Sequence, residues 1–184
     1  MSDPTLAESA ARYVRVSGVF GGRVNGVRDW SVPTPCSEWN ALDLLTHVVN
    51  THLRVLSTSD GRPPDEVDAT DALTAWPSVR ASVIGAAVDP LLASTQVSTP
   101  FGSMPFAVLC GSLLCADTLV HTWDLARATG QDERLDARDV AAVHSILEPL
   151  DEGMRLPGGF AAKLEPPPGA DPQACLLAFC GRRP

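Results

Sequence analysis

Between residues 113 and 130 the chain reads LLCADTLVHTWDLARATG, an apolar helical segment broken by polar side chains at helical spacing. Projected at about 100° per residue, Cys110, Asp117, His121, Asp124 and Ala128 fall in one narrow stripe. Leu113, Leu114, Leu119, Val120, Trp123 and Leu125 cover the rest of the circumference. A helix apolar nearly all round belongs in an interior. A carboxylate and an imidazole carried there are costly to bury unless each is paired, hydrogen-bonded or bound to a cation. Asp117 and His121 stand four residues apart, one turn of the same face, and can share a ligand. The segment therefore predicts a mostly helical fold around one buried helix, with a divalent metal satisfying both groups at once.

The rest of the composition narrows what surrounds that helix. At 184 residues the chain fills one domain, expected as residues 1–184 with a core over about 4–153 and a docked C-terminal tail over 154–184. A formal charge of -8 without clustered Lys or Arg argues against a nucleic-acid groove. The opening MSDPTLAESA lacks the basic and apolar regions of a signal peptide, and no apolar run near membrane-spanning length stands out, so a cytoplasmic protein with no membrane partner is expected. Cysteines at 36, 110, 115, 175 and 180 form neither an even disulfide framework nor a CxxC motif, and are expected as reduced thiols.

Apolar periodicity and turn signals place helices over about 4–26, 38–57, 71–88, 105–129 and 136–152. Ser37 is the expected N-cap of the second, and Gly130 the C-cap of the central one. Residues 29–39, DWSVPTPCSEW, read as a proline-held loop. Residues 95–106, TQVSTPFGSMPF, read as a short extended excursion with a glycine turn, and Ala174 to Cys180 as an apolar segment docking on the helices.

DLLTHVV in the second helix and DTLVHTW in the central one each place an Asp four residues before a His, which points to His47 as a third ligand. Periodicity favours His52 instead, since it lies near the centre of the apolar face formed with Leu45, Val48, Val55 and Leu56, while His47 falls on the flank beside Asp43 and Arg54. Both histidines stay open on spacing alone. Asp43 is either a carboxylate orienting His47 or a charge complementing the helix N-terminus. Asp124 and Arg127 are the candidate catalytic residues: at i,i+3 they form an ion pair, or Arg127 reaches a substrate carboxylate. Trp30, Trp39 and Trp123 read as packing anchors, His144 as structural, and Cys36 as a loop thiol ahead of the His47 helix.

Several separated motifs occur together: Trp30 followed by PTPCSEW, LDLLTHV, PFGSMP, ADTLVHTWDLARATGQD, and a C-terminal GGF and AFCGRRP. In these the chain resembles the DinB-like, mycothiol-dependent maleylpyruvate isomerase N-terminal-domain family of metal-binding proteins. The resemblance implies an up-and-down four-helix bundle holding a divalent metal on His47, Asp117 and His121. Zinc is the expected metal for two imidazoles and a carboxylate, with nickel or iron as alternatives. Asp117 stands where the isomerase branch has Glu. That branch also has a C-terminal domain for which this chain is too short, so maleylpyruvate isomerisation itself is not expected here. The implied activity is a thiol S-transferase or isomerase acting on a small electrophilic molecule, with mycothiol or another low-molecular-weight thiol as cosubstrate. A hydrolase or tailoring enzyme using metal-activated water, and a non-catalytic metal-binding bundle, are the alternatives.

Overall fold

The computed structural model describes residues 4–155 and 159–184, so Gly158 of the GGF motif lies outside the described residues. The chain is mostly helical. α1 (Pro4–Gly26), α2 (Ala41–Asp60) and α3 (Ala69–Val88) come first, followed by the short α4 (Pro90–Ser94) and an antiparallel hairpin of β1 (Gln96–Thr99) and β2 (Gly102–Pro105). α5 (Phe106–Leu109), a π-helical turn (Cys110–Leu114) and α6 (Cys115–Thr129) then run as one continuous helix. α7 (Ala137–Leu147) and α8 (Pro172–Phe179) complete the chain.

α1 packs on α3 and α6, and α2 packs on the same two helices from the other side. Tyr13, Val16 and Phe20 of α1 and Leu44, Leu45, Val48 and Val49 of α2 recur at helical spacing and are fully buried or nearly so. The helix Phe106–Thr129 is long and apolar enough to cross a membrane by length and composition, which corrects the expectation that no such stretch occurs. Its surface is instead mostly buried inside the protein, as the core helix of this fold.

The π-helical turn lies where α1 packs closely on the central helix. A Cβ on Gly111 would lie 2.5 Å from the backbone of Ser9, so glycine is what lets α1 approach there. The Gly111 carbonyl accepts from Arg12 Nη1 at 2.7 Å. A π turn carries an extra residue and rotates the preceding residues out of register with the helix beyond it. Cys110 therefore leaves the polar stripe projected from an unbroken helix and packs in the apolar core, in one cluster with Tyr13 and Cys115.

Two helix boundaries differ from expectation. Asn40, not Ser37, caps α2: its side chain accepts from the backbone of Leu42 and Asp43, while Asp43 accepts from the Asn40 N–H at 3.0 Å. This reciprocal pair outcompetes a serine three residues earlier. α7 stops at Leu147 because Pro149 follows, leaving one 3₁₀ turn over Glu148–Leu150. Gly130 caps α6 in the left-handed conformation as expected. α8 packs on α7 with Leu176 and Leu177 fully buried, so the tail is docked.

Candidate metal centre

Three elements meet at the polar stripe of α6. α2 contributes His47, α6 contributes Asp117, His121 and Asp124, and the loop ahead of α2 contributes Cys36 and Trp39. That loop is pinned by hydrogen bonds from Thr34 N–H to the Trp39 carbonyl and from Ala41 N–H to the Val32 carbonyl, both 2.9 Å. Glu38 adopts a left-handed φ of 69° in it, which turns the chain into the capping box.

The structure brings His47, Asp117 and His121 together with one ligand atom from each within 4.8 Å of the others. Asp117 Oδ1 lies 3.1 Å from His47 Nε2 and 3.5 Å from His121 Nε2. Asp117 Oδ2 is buried and has no hydrogen-bond partner among the described residues. A buried carboxylate with one oxygen lacking a donor is costly, and a cation bound to that carboxylate and the two imidazoles would offset the cost. The residues thus fit the group that the donor set implies. Burial alone would raise the Asp117 carboxyl, but His121 and then His47 outweigh it and hold the group well below the ordinary carboxylate range.

His121 is held from its other side. Its Nδ1 lies 3.0 Å from Asp124 Oδ2, and because a carboxylate only accepts, the Nδ1 hydrogen points there and Nε2 faces Asp117. Burial works against the protonated imidazole, while Asp117 and Asp124 favour it and hold His121 well above its ordinary value. Without a metal, an imidazolium between two carboxylates therefore takes the place of the cation.

Asp124 is fully buried, and its partner is not Arg127. Arg182, from the C-terminal tail, donates from Nη2 to Oδ2 at 2.8 Å and from Nε to Oδ1 at 3.1 Å. Its Nη2 also lies 3.1 Å from Cys36 Sγ, and the Cys36 thiol donates to Asp124 Oδ2 at 3.3 Å. Arg127 turns outward instead, stacking over Trp123 at 4.5 Å and pairing with Glu133 at 3.1 Å. Three residues on from a buried stripe, it reaches solvent, so the Asp124–Arg127 pair does not form, and Arg127 is not among the described residues that line the cleft. Asp43 is likewise committed to the α2 cap and does not orient His47.

His52 lies apart from the cluster. It is fully buried, with Nδ1 on the Val48 carbonyl at 2.7 Å and its ring against Trp76 and Tyr13. Its position at the centre of the apolar face makes it a core residue, whereas a ligand must sit at the flank, where α2 meets α6. Burial depresses the His52 imidazole from 6.5 to about 4. In that window the unfolded chain binds a proton that the folded one does not, so stability attributable to neutral His52 is complete above about pH 6.5 and is lost as pH falls toward 4. The shift corresponds to about 3 kcal/mol. Urea unfolding with chelator present is expected to show wild type losing roughly this much more stability than His52→Leu between pH 6.5 and 4. Parallel losses would contradict the burial argument.

Trp39 is more than the packing anchor expected of it, since its ring meets both imidazoles of the cluster in a tilted arrangement, with centroids 4.7 Å from His47 and 6.0 Å from His121. The donors open on a cleft of about 830 Å³. Phe101 from the hairpin tip and Phe160 from the tail stand in its walls. Trp30 packs against the α1–α2–α3 core, Trp123 is buried, and His144 packs on Phe179.

Two proteins of Mycobacterium tuberculosis, the uncharacterized proteins MT0763 (strain CDC 1551 / Oshkosh) and Rv0738 (strain ATCC 25618 / H37Rv), are each 37% identical to this chain over 189 residues, covering 98% of it and 98% of their own length. No family model and no solved structure matches the chain.

Proposed function

This chain belongs to one family with the two mycobacterial proteins, and for it we propose a cytoplasmic metalloenzyme of the DinB-like, four-helix-bundle class that adds a low-molecular-weight thiol of the mycothiol type to a small electrophile. The observation that carries the reading is Asp117, which lines a cleft with His47 and His121, its Oδ1 beside both imidazoles and its Oδ2 buried without a hydrogen-bond partner among the described residues. His47, Asp117 and His121 would hold the metal, with zinc suited to the donor set and nickel or iron as alternatives. When bound there, a divalent cation would supply Lewis acidity that lowers the pKa of a thiol or a water.

The chain's own residues do the rest. Asp124, braced by Arg182, holds His121 in the tautomer that leaves Nε2 free to bind. Trp39 covers both imidazoles and limits the water that reaches them. The apolar walls hold the electrophile against the nucleophile, the positioning that converts two bound reactants into an effectively unimolecular pair. Addition across an activated C=C bond forms the C–S bond and breaks the π bond, and the thiol proton ends on the neighbouring carbon. Reversal after rotation isomerises the double bond.

The test is turnover of zinc-loaded protein with activated alkenes, with and without thiol. Consumption that requires thiol, together with a thiol-dependent change in the spectrum of cobalt-substituted protein, is the expected result. Consumption by water alone, with no thiol effect on cobalt, would overturn the transferase reading in favour of a hydrolase. Metal binding without turnover in either assay would leave a metal-binding bundle without this activity.

A further inference from the structure

The cleft in front of the metal centre is built for something other than an anion. Its walls include Val55, Phe101, Leu109, Leu113, Met154 and Phe160, drawn from α2, the hairpin, the continuous central helix and the tail. Apart from the imidazoles and the thiol of Cys36, Asp117 and Arg182 are the only ionisable side chains among its described lining residues. The Arg182 charge is committed to Asp124 through Nε and Nη2, and Nη1 donates to the Cys180 carbonyl at 2.9 Å.

The basic side chains nearest to the wall residues in sequence are not among the described lining residues, and each is drawn to a carboxylate: Arg54 pairs with Glu66 at 2.6 Å, and Arg155 and Lys163 share the single carboxylate of Asp151 at 2.7 and 2.6 Å. A charge count then limits the ligand. With neutral imidazoles, a dication on Asp117 leaves one net positive charge, and Asp124 cancels Arg182. A thiolate neutralises that single charge. A carboxylate or phosphate on the second reactant would enter an apolar cleft whose described lining residues hold no cation that Asp124 or the thiolate has not already neutralised, which is strongly unfavourable.

We infer that the second substrate is an uncharged, largely apolar molecule, aromatic or alicyclic, whose electrophile is a carbonyl-activated C=C bond and which carries no carboxylate or phosphate. This rests on the metal-dependent reading for the position of the nucleophile. It also separates the cleft from a site for dicarboxylates. The volume suits a ligand of one or two rings, since small-molecule pockets of this kind span about 300 to 1,000 Å³.

Two probes of one skeleton test it: 2-acetylnaphthalene, which is neutral, and 2-naphthoate, which carries a carboxylate. Both are titrated by calorimetry into the full chain, zinc-loaded and chelator-treated, and into Val55→Lys, which places a cation in the wall. The expected result is that chelator-treated wild type binds the neutral probe at least about tenfold more tightly than naphthoate, and that Val55→Lys narrows or reverses the preference. Naphthoate binding as tightly as the ketone to the chelator-treated wild type, or neither probe binding at millimolar concentration, would overturn the inference. Zinc titration of the same samples keeps the two readings apart. Preferential binding of the ketone by a chain that takes up no zinc would sink the metal reading alone, whereas stoichiometric zinc with tight naphthoate binding to the chelator-treated chain would sink this one alone.

Discussion

Replacing Arg182 with methionine is expected to lower the unfolding free energy by about 3 to 5 kcal/mol, the cost of stranding one member of a buried ion pair. Asp124 is wholly inaccessible and Arg182 is 8% exposed, so neither charge is rescued by water. His121 cannot substitute for the guanidinium, because its N–H reaches Oδ2 while Oδ1 takes its hydrogen bond from Arg182 Nε. For a chain of this length the loss corresponds to a fall in Tm of roughly 10 °C. The double variant Asp124→Leu/Arg182→Met should recover more than half of that stability, since apolar replacement of a whole buried pair is often neutral. It should nevertheless bind zinc about 10 to 100-fold more weakly, having lost the group that orients His121. Urea unfolding and zinc titration of the three proteins check both parts. An unchanged midpoint for Arg182→Met would mean that the tail does not brace the centre.

The larger effect on metal binding falls on Asp117. Asp117→Asn keeps the shape of the side chain but exchanges a charged donor for a neutral amide, and zinc affinity should fall by at least about 100-fold, since losing an outer partner alone costs 10 to 100-fold. At a zinc concentration a thousandfold above the wild-type Kd, where wild type gains about 4 kcal/mol, the variant should gain no more than about 1.4 kcal/mol, with a correspondingly smaller rise in Tm. His121→Ala should behave the same way, while His144→Ala, whose ring only packs on Phe179, should retain both affinity and the zinc-dependent stabilisation. Equal zinc-dependent shifts for the His121 and His144 variants would contradict a metal held on α6.

Much of this arrangement is legible from spacing. The apolar helix carrying Asp117, His121 and Asp124 declares itself because polar groups at i, i+4 and i+7 share a face, and the helix after the π turn keeps that register. The π turn itself leaves no periodic trace. It coincides with the approach of Ser9 to Gly111, a contact between residues about a hundred positions apart that no periodicity reports, and so the projection of Cys110 onto the stripe fails. Periodicity also favours the wrong kind of histidine for a ligand: the most inward one, His52, is surrounded by core, whereas a ligand needs a neighbouring helix and an opening. The repeated Asp-to-His spacing and the family resemblance carry His47 where periodicity does not.

Arg182 is the residue that sequence reasoning misses. Asp124 on a buried stripe signals the need for a cation, and Arg127 at i+3 is the nearest in sequence, but a buried carboxylate can draw its partner from anywhere the chain returns. The docked segment 174–180, which packs on the helices as its apolar character predicts, delivers Arg182 just beyond its end. Likewise, Cys36 and Trp39 come to the site through a loop whose path is set by backbone hydrogen bonds rather than by side-chain pattern.

Anomalous diffraction at the zinc edge from crystals of zinc-loaded protein tests the central claim most directly. The account predicts one peak per chain at roughly 2.0 to 2.2 Å from a ring nitrogen of His47, an Asp117 oxygen and a ring nitrogen of His121. No peak after zinc loading, a peak seated on Cys36 and Asp124, or one at His52 would contradict it.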